Sequence, residues 1–133
     1  MIATEKERLG TAADAFDRAA TLDPAVAEYH ARAGYGIYRL IANPRFSLDD
    51  AVAKLNKAIR LDQDNVTYRE WLGEVYRHQG KTEAAIKVYQ SIMEKDPKND
   101  EARRQVHYLT SALEKQREQE SKDPIRSLFG RKP

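Results

Sequence analysis

The sequence predicts an all-α protein built from antiparallel helix pairs, and three observations carry that reading. Apolar residues recur at three- and four-residue spacing through residues 3–20, 25–42, 47–61, 65–97 and 99–119. Turn-forming residues separate these runs, namely Asp23-Pro24, Asn43-Pro44, Asp62 to Asn65, Gly80 and Pro97. Within residues 65–97, small residues stand on both helices of a hairpin, Gly73 on the first and Ala85 on the second. That placement lets the two helix axes approach closely.

The first run, residues 3–20, carries Leu9, Ala12, Ala13, Phe16, Ala19 and Ala20 at helical spacing. Set against the central hairpin, Ala12, Phe16 and Pro24 take the places of Ala85, Tyr89 and Pro97. The run therefore matches a second helix whose first helix is missing. Excision from a longer protein is the favoured explanation of that half unit, with cover by another copy as the alternative. Residues 25–42 form the next first helix, preceded by a cap and stop at Asp23-Pro24, and Ala33-Gly34 and Ile37 match Leu72-Gly73 and Tyr76. Residues 47–61 are its partner, opened by Ser47 with Asp50 three residues on, close to a capping box. Ala51, Leu55 and Ala58 there match Ala85, Tyr89 and Ile92.

This pair is irregular. Gly34 to Ala51 spans 17 positions, whereas Gly73 to Ala85 spans 12, and the five extra residues fall around Asn43-Pro44-Arg45-Phe46. Pro44 ends the first helix, and Phe46 either covers the edge of the core or serves as a contact residue. In the central hairpin Leu72 and Tyr76 lie four apart on one face, as do Ala85 and Tyr89. Gly80 stands where the chain reverses and positive φ is needed, and Pro97 opposes continuation of the second helix. Residues 99–119 supply a last helix with no partner downstream, its outer face polar and its end supported by Glu118 and Lys122. Asp123-Pro124 breaks it, and residues 122–133 form a mobile basic tail.

Composition narrows the function. A chain of 133 residues suits one domain, and 41% apolar with 33% charged residues suits a protein exposing much helical surface. The chain has no cysteine, which removes disulfides and thiolate metal sites, and no apolar run of membrane-spanning length. The expected compartment is the cytoplasm. The net charge of +2 resides in the last twenty residues, where six Lys or Arg face four acids, so the body is neutral and nucleic acid is not an expected partner. His30, His78 and His107 occupy different places in the pattern and do not converge as metal ligands. The chain has no nucleophile elbow and no phosphate-cradling glycine loop, so no catalytic residue, metal or cofactor is expected.

Leu72-Gly73, Tyr76, Gly80, Ala85, Tyr89 and Pro97 resemble the tetratricopeptide repeat (TPR) pattern at its own spacings. The resemblance implies an α-solenoid comprising a half repeat, two full repeats and a C-terminal capping helix over residues 1–121. It further implies a right-handed superhelix whose first helices line a concave groove that receives a peptide or helix of another protein. Carried over position by position, the groove residues are Glu28, Ala31, Tyr35, Tyr38 and Arg39 in the first full repeat. Thr67, Glu70, Glu74, Arg77 and His78 follow in the second, and Glu101, Arg104, Tyr108 and Ser111 in the capping helix. One TPR subtype grips a terminal carboxylate with lysine, asparagine and arginine; Glu70 and Glu74 stand where that clamp needs lysine and asparagine, so it is excluded here. The acids beside Arg77 and Arg104 imply a mixed or basic ligand.

The expected function is non-catalytic protein binding, as a segment of a larger scaffold or regulatory protein of bacterial type. The alternative is homodimerisation through the unpaired first helix. Trp71 stands two places from the family's usual tryptophan site, occupied here by Arg69, and is assigned to packing between repeats over exposure on the convex side. In the tail, Ile125, Leu128 and Phe129 with Arg126, Arg131 and Lys132 make either a docking motif or a disordered end, the latter favoured.

Overall fold

The computed structural model describes residues 4–40 and 47–122. Phe46 and the tail motif lie outside the described residues, as does the side chain of Leu9. The described chain forms six helices and no strand: α1 (Glu5–Leu22), α2 (Ala27–Arg39), α3 (Leu48–Leu61), α4 (Val66–His78), α5 (Thr82–Lys95) and α6 (Asp100–Lys122). Neighbours in sequence pack on one another from α1 through α6, and α2 also meets α4. The result is an all-α helical repeat solenoid.

Local chemistry sets the helix ends. Thr4 opens α1 with a reciprocal capping box, accepting from the Glu7 amide at 3.2 Å while its own amide donates to Glu7 Oε2 at 2.8 Å. Ser47 caps α3 by accepting from the Asp49 amide at 3.1 Å, and no return bond from Asp50 completes a box. Asp23 closes α1 and Pro24 lies in the turn, so that pair is a stop; the residue before α2 is Val26, which caps with no side-chain bond. Asn65 and Asn99 supply the acceptors before α4 and α6, to Tyr68 at 3.3 Å and Ala102 at 2.9 Å. Gly80 has φ +74° in the α4–α5 turn, the left-handed conformation that glycine adopts without steric cost.

Small residues hold the pairs together. A Cβ on Gly73 would stand 2.6 Å from the Tyr89 ring, so α4 and α5 cross with that ring lying directly on backbone. Gly34 makes the same crossing with α3, where a Cβ would meet the Ala51 carbonyl oxygen at 3.0 Å and Leu55 at 3.2 Å. The longer connection therefore leaves the crossing itself unchanged. Gly36, outside the repeat pattern, lets α2 approach α1, since its Cβ would meet that of Ala13 at 2.8 Å. Leu55, Ala58, Leu72 and Val75 are buried in one cluster and Ala85, Tyr89, Ile92 and Leu109 in a second. Burying each of the larger aliphatic side chains contributes about 1.5–3 kcal/mol.

Several polar ties differ from expectation. Arg69, at the usual tryptophan place, donates to Ser91 Oγ at 3.1 Å and to the Gln63 carbonyl at 3.0 Å, joining α4 to α5 and to the turn before it. Glu118 and Lys122 are not paired; Arg117 ties α6 back to Glu83 on α5 at 3.2 Å. His30 is buried and bonded to the Pro24 carbonyl at 2.8 Å, a structural role. No described helix is long and apolar enough to cross a membrane.

Candidate binding groove

The first helices α2, α4 and α6 each contribute side chains to one pocket. On α2, Tyr35 and Tyr38 lie one turn apart with ring centroids 5.5 Å from each other. Tyr35 stacks on Trp71 of α4 at 4.3 Å and 14°, while Trp71 also packs against the first core cluster. Trp71 thus belongs to the α2–α4 contact, between repeats. The Tyr35 hydroxyl donates to Glu74 at 3.5 Å, and Tyr38 and His78 Nδ1 hydrogen-bond at 3.1 Å. These polar ties fasten α4 to α2 along their shared edge.

Beyond that edge lies a cavity of about 160 Å³ lined by Tyr38, Glu70, Glu74, Arg77, Tyr89, Glu101 and Gln105. Helical geometry accounts for the convergence. Glu70 and Glu74 are four apart on α4, and Glu101 and Gln105 four apart on α6, so each pair projects from one helix face. Glu70 accepts from the Asn99 side chain at 3.3 Å, the same asparagine that caps α6. Glu101 accepts from Arg104 and Gln105, each at 2.9 Å, and these bonds hold its carboxyl below the usual carboxylate range. Glu74 is shifted the other way. Burial raises its carboxyl above the ordinary range, against the opposing influence of Tyr35 and Arg77. Burial also pushes the Tyr89 phenol up to about 12, despite the nearby Arg77 guanidinium.

The remaining groove positions are placed less uniformly. Arg39 is exposed at the end of α2 and hydrogen-bonds the Tyr35 side chain. Glu28 is exposed and pairs with Arg32 of its own helix at 2.8 Å. Thr67 is exposed near the start of α4, Ser111 is half-buried on α6, and Tyr108 is 63% exposed. Ala31 is a correction: it is fully buried in the first core cluster and offers a partner no surface. Ala31 lies on the face of α2 that also buries Gly34 and Ile37, so helix phase turns its methyl group into the core. Conversely, Tyr89 and Gln105 line the cavity without having been assigned to it. The legible signal for Tyr89 was its hydroxyl, a polar tip on an aromatic that the repeat needs only for packing. Among the described residues no group of histidines and acids is arranged to hold a metal ion.

Comparison with known proteins accords with this architecture. Residues 47–100 match the tetratricopeptide repeat family model. The NMR structure of the first TPR domain of human RPAP3 superposes with a TM-score of 0.71 at 21% identity, covering 83% of each chain. The first TPR of Spaghetti (RPAP3), solved bound to the HSP90 peptide SRMEEVD, gives 0.68 at 22% identity over 79% of this chain and 81% of that one. The Arabidopsis OM64 TPR domain gives 0.67 at 19% identity over 77% and 80%. At such identities the likeness concerns the fold. No curated protein sequence matches the chain.

Proposed function

We propose that this chain, which carries the tetratricopeptide repeat over residues 47–100 and has the fold of TPR domains, is a non-catalytic protein-interaction module. Its partner is an extended peptide or a helix of another protein, received in the trough of α2, α4 and α6. The observation that carries this reading is the cavity where Tyr38, Glu70, Glu74, Arg77 and Glu101 converge from those three helices. Side chains that serve only solubility need no such convergence. Here they line a half-open pocket, with rings that supply contact area at low entropic cost and charges that supply orientation. The neighbour bound to an HSP90 peptide supports the same use of the fold.

Groove binding has a direct test. A randomised octapeptide library is passed over the immobilised protein and over its Glu70→Lys plus Glu74→Lys variant. The wild type is expected to retain peptides that the variant releases, with the helical circular dichroism of the two unchanged. Equal retention by both proteins removes the groove from the account.

A further inference from the structure

The trough has segregated its charges. Glu70, Glu74 and Glu101 face the cavity together with one cation, Arg77, while Arg39 and Arg104 stand exposed outside the residues that line it. Neither Glu70 nor Glu74 forms an ion pair among the described residues. Glu70 has only a neutral amide donor at 3.3 Å, and Glu74 only a phenol at 3.5 Å, near the limit of a hydrogen bond. Arg77 shares that space and its charge acts on Glu74, Glu101 and Tyr89 alike, so one cation stands among three carboxylates. A third acceptor is idle as well: Gln105 Oε1 is shielded from solvent, lines the same cavity and has no hydrogen-bond partner. Two under-coordinated carboxylates and an orphaned amide oxygen thus share one space with the rings of Tyr38 and Tyr89.

We propose that this cavity is a socket for a lysine or arginine side chain of the bound segment, so that the partner is a basic peptide. The proposal rests on the groove reading above and adds the ligand's chemistry to it. An ammonium offers three donors and a guanidinium five, matching Glu70, Glu74 and Gln105 Oε1, whereas a neutral or acidic side chain leaves them unmatched. An incoming carboxylate would instead meet three like charges at close range. At about 160 Å³ the space suits a side-chain terminus and no folded element.

The randomised octapeptide library tests this with a second variant, Glu70→Gln plus Glu74→Gln, which removes the charges and preserves the shapes. Wild-type protein is expected to enrich lysine or arginine at one position, and the Gln variant to lose that enrichment. A retained peptide should weaken at least about tenfold when that lysine is replaced by norleucine, and its wild-type binding should fall as salt rises. The norleucine arm needs no altered protein, so it decides the matter even if the Gln variant fails to fold. Retained peptides without a basic preference, or an enrichment unchanged in the Gln variant, overturn the socket while leaving groove binding intact. Retention of no peptide at all overturns both.

Discussion

At Gly73 the α4–α5 crossing leaves no space for a side chain, because a Cβ would lie within 3 Å of two atoms of the Tyr89 ring. Tyr89 cannot yield by swinging outward, since it is 98% buried and belongs to the second core cluster (2% exposed). Gly73→Leu should therefore cost on the order of 1–3 kcal/mol by overpacking, and an unaltered urea midpoint would show that the contact is misplaced. Glu74 gives a prediction of opposite sign. Its carboxyl is held above the ordinary range by burial, so its charged form is the disfavoured one in the folded state. That destabilisation is fully present above the folded pKa and disappears once pH falls below the unfolded pKa. Glu74→Gln should raise Tm at neutral pH, and the gain should vanish on acidification through the carboxylate range. A gain that grew toward low pH would contradict the assignment.

The helices themselves were largely legible, because each is an amphipathic run bounded by turn residues whose chemistry is local. Gly80 and Pro97 mark their turns through backbone preference alone, without help from distant contacts. Contacts between elements were less legible. Gly36 looks like a helix-weakening residue until α1 is seen against it, and Arg69 looks like a lost tryptophan until Ser91 and Gln63 are seen around it. Both depend on partners brought near only by packing. Gly36→Val would force a branched side chain against Ala13, whose Cα is 3.4 Å from the ideal Cβ. The variant should loosen α1 selectively, with amide exchange accelerated across Glu5–Leu22 and little changed in α5 and α6. Uniform acceleration through all six helices would show that α1 is no separable unit.

Across the whole molecule, stability is distributed between two clusters that meet at Tyr76, a residue packed against both. Ile92, fully buried in the second, should lose about 2–5 kcal/mol on truncation to alanine, read from chemical denaturation. A loss below 1 kcal/mol would mean that α5 is held by something other than its core. The repeat pattern named Tyr38, Glu70, Glu74, Arg77 and Glu101, which the fold gathers around one cavity, yet could not tell that Ala31 faces inward or that Tyr89 reaches the same cavity. Helix phase decides such matters, and an error of one residue rotates a side chain by about 100°. The central claim is that α2, α4 and α6 together receive another polypeptide. It is tested most directly by titrating isotope-labelled protein with a retained octapeptide and mapping the amide and side-chain shifts. The account predicts perturbations concentrated at Tyr35, Tyr38, Glu70, Glu74, Arg77, Glu101 and Gln105; perturbations concentrated on α1 and α3 would contradict it.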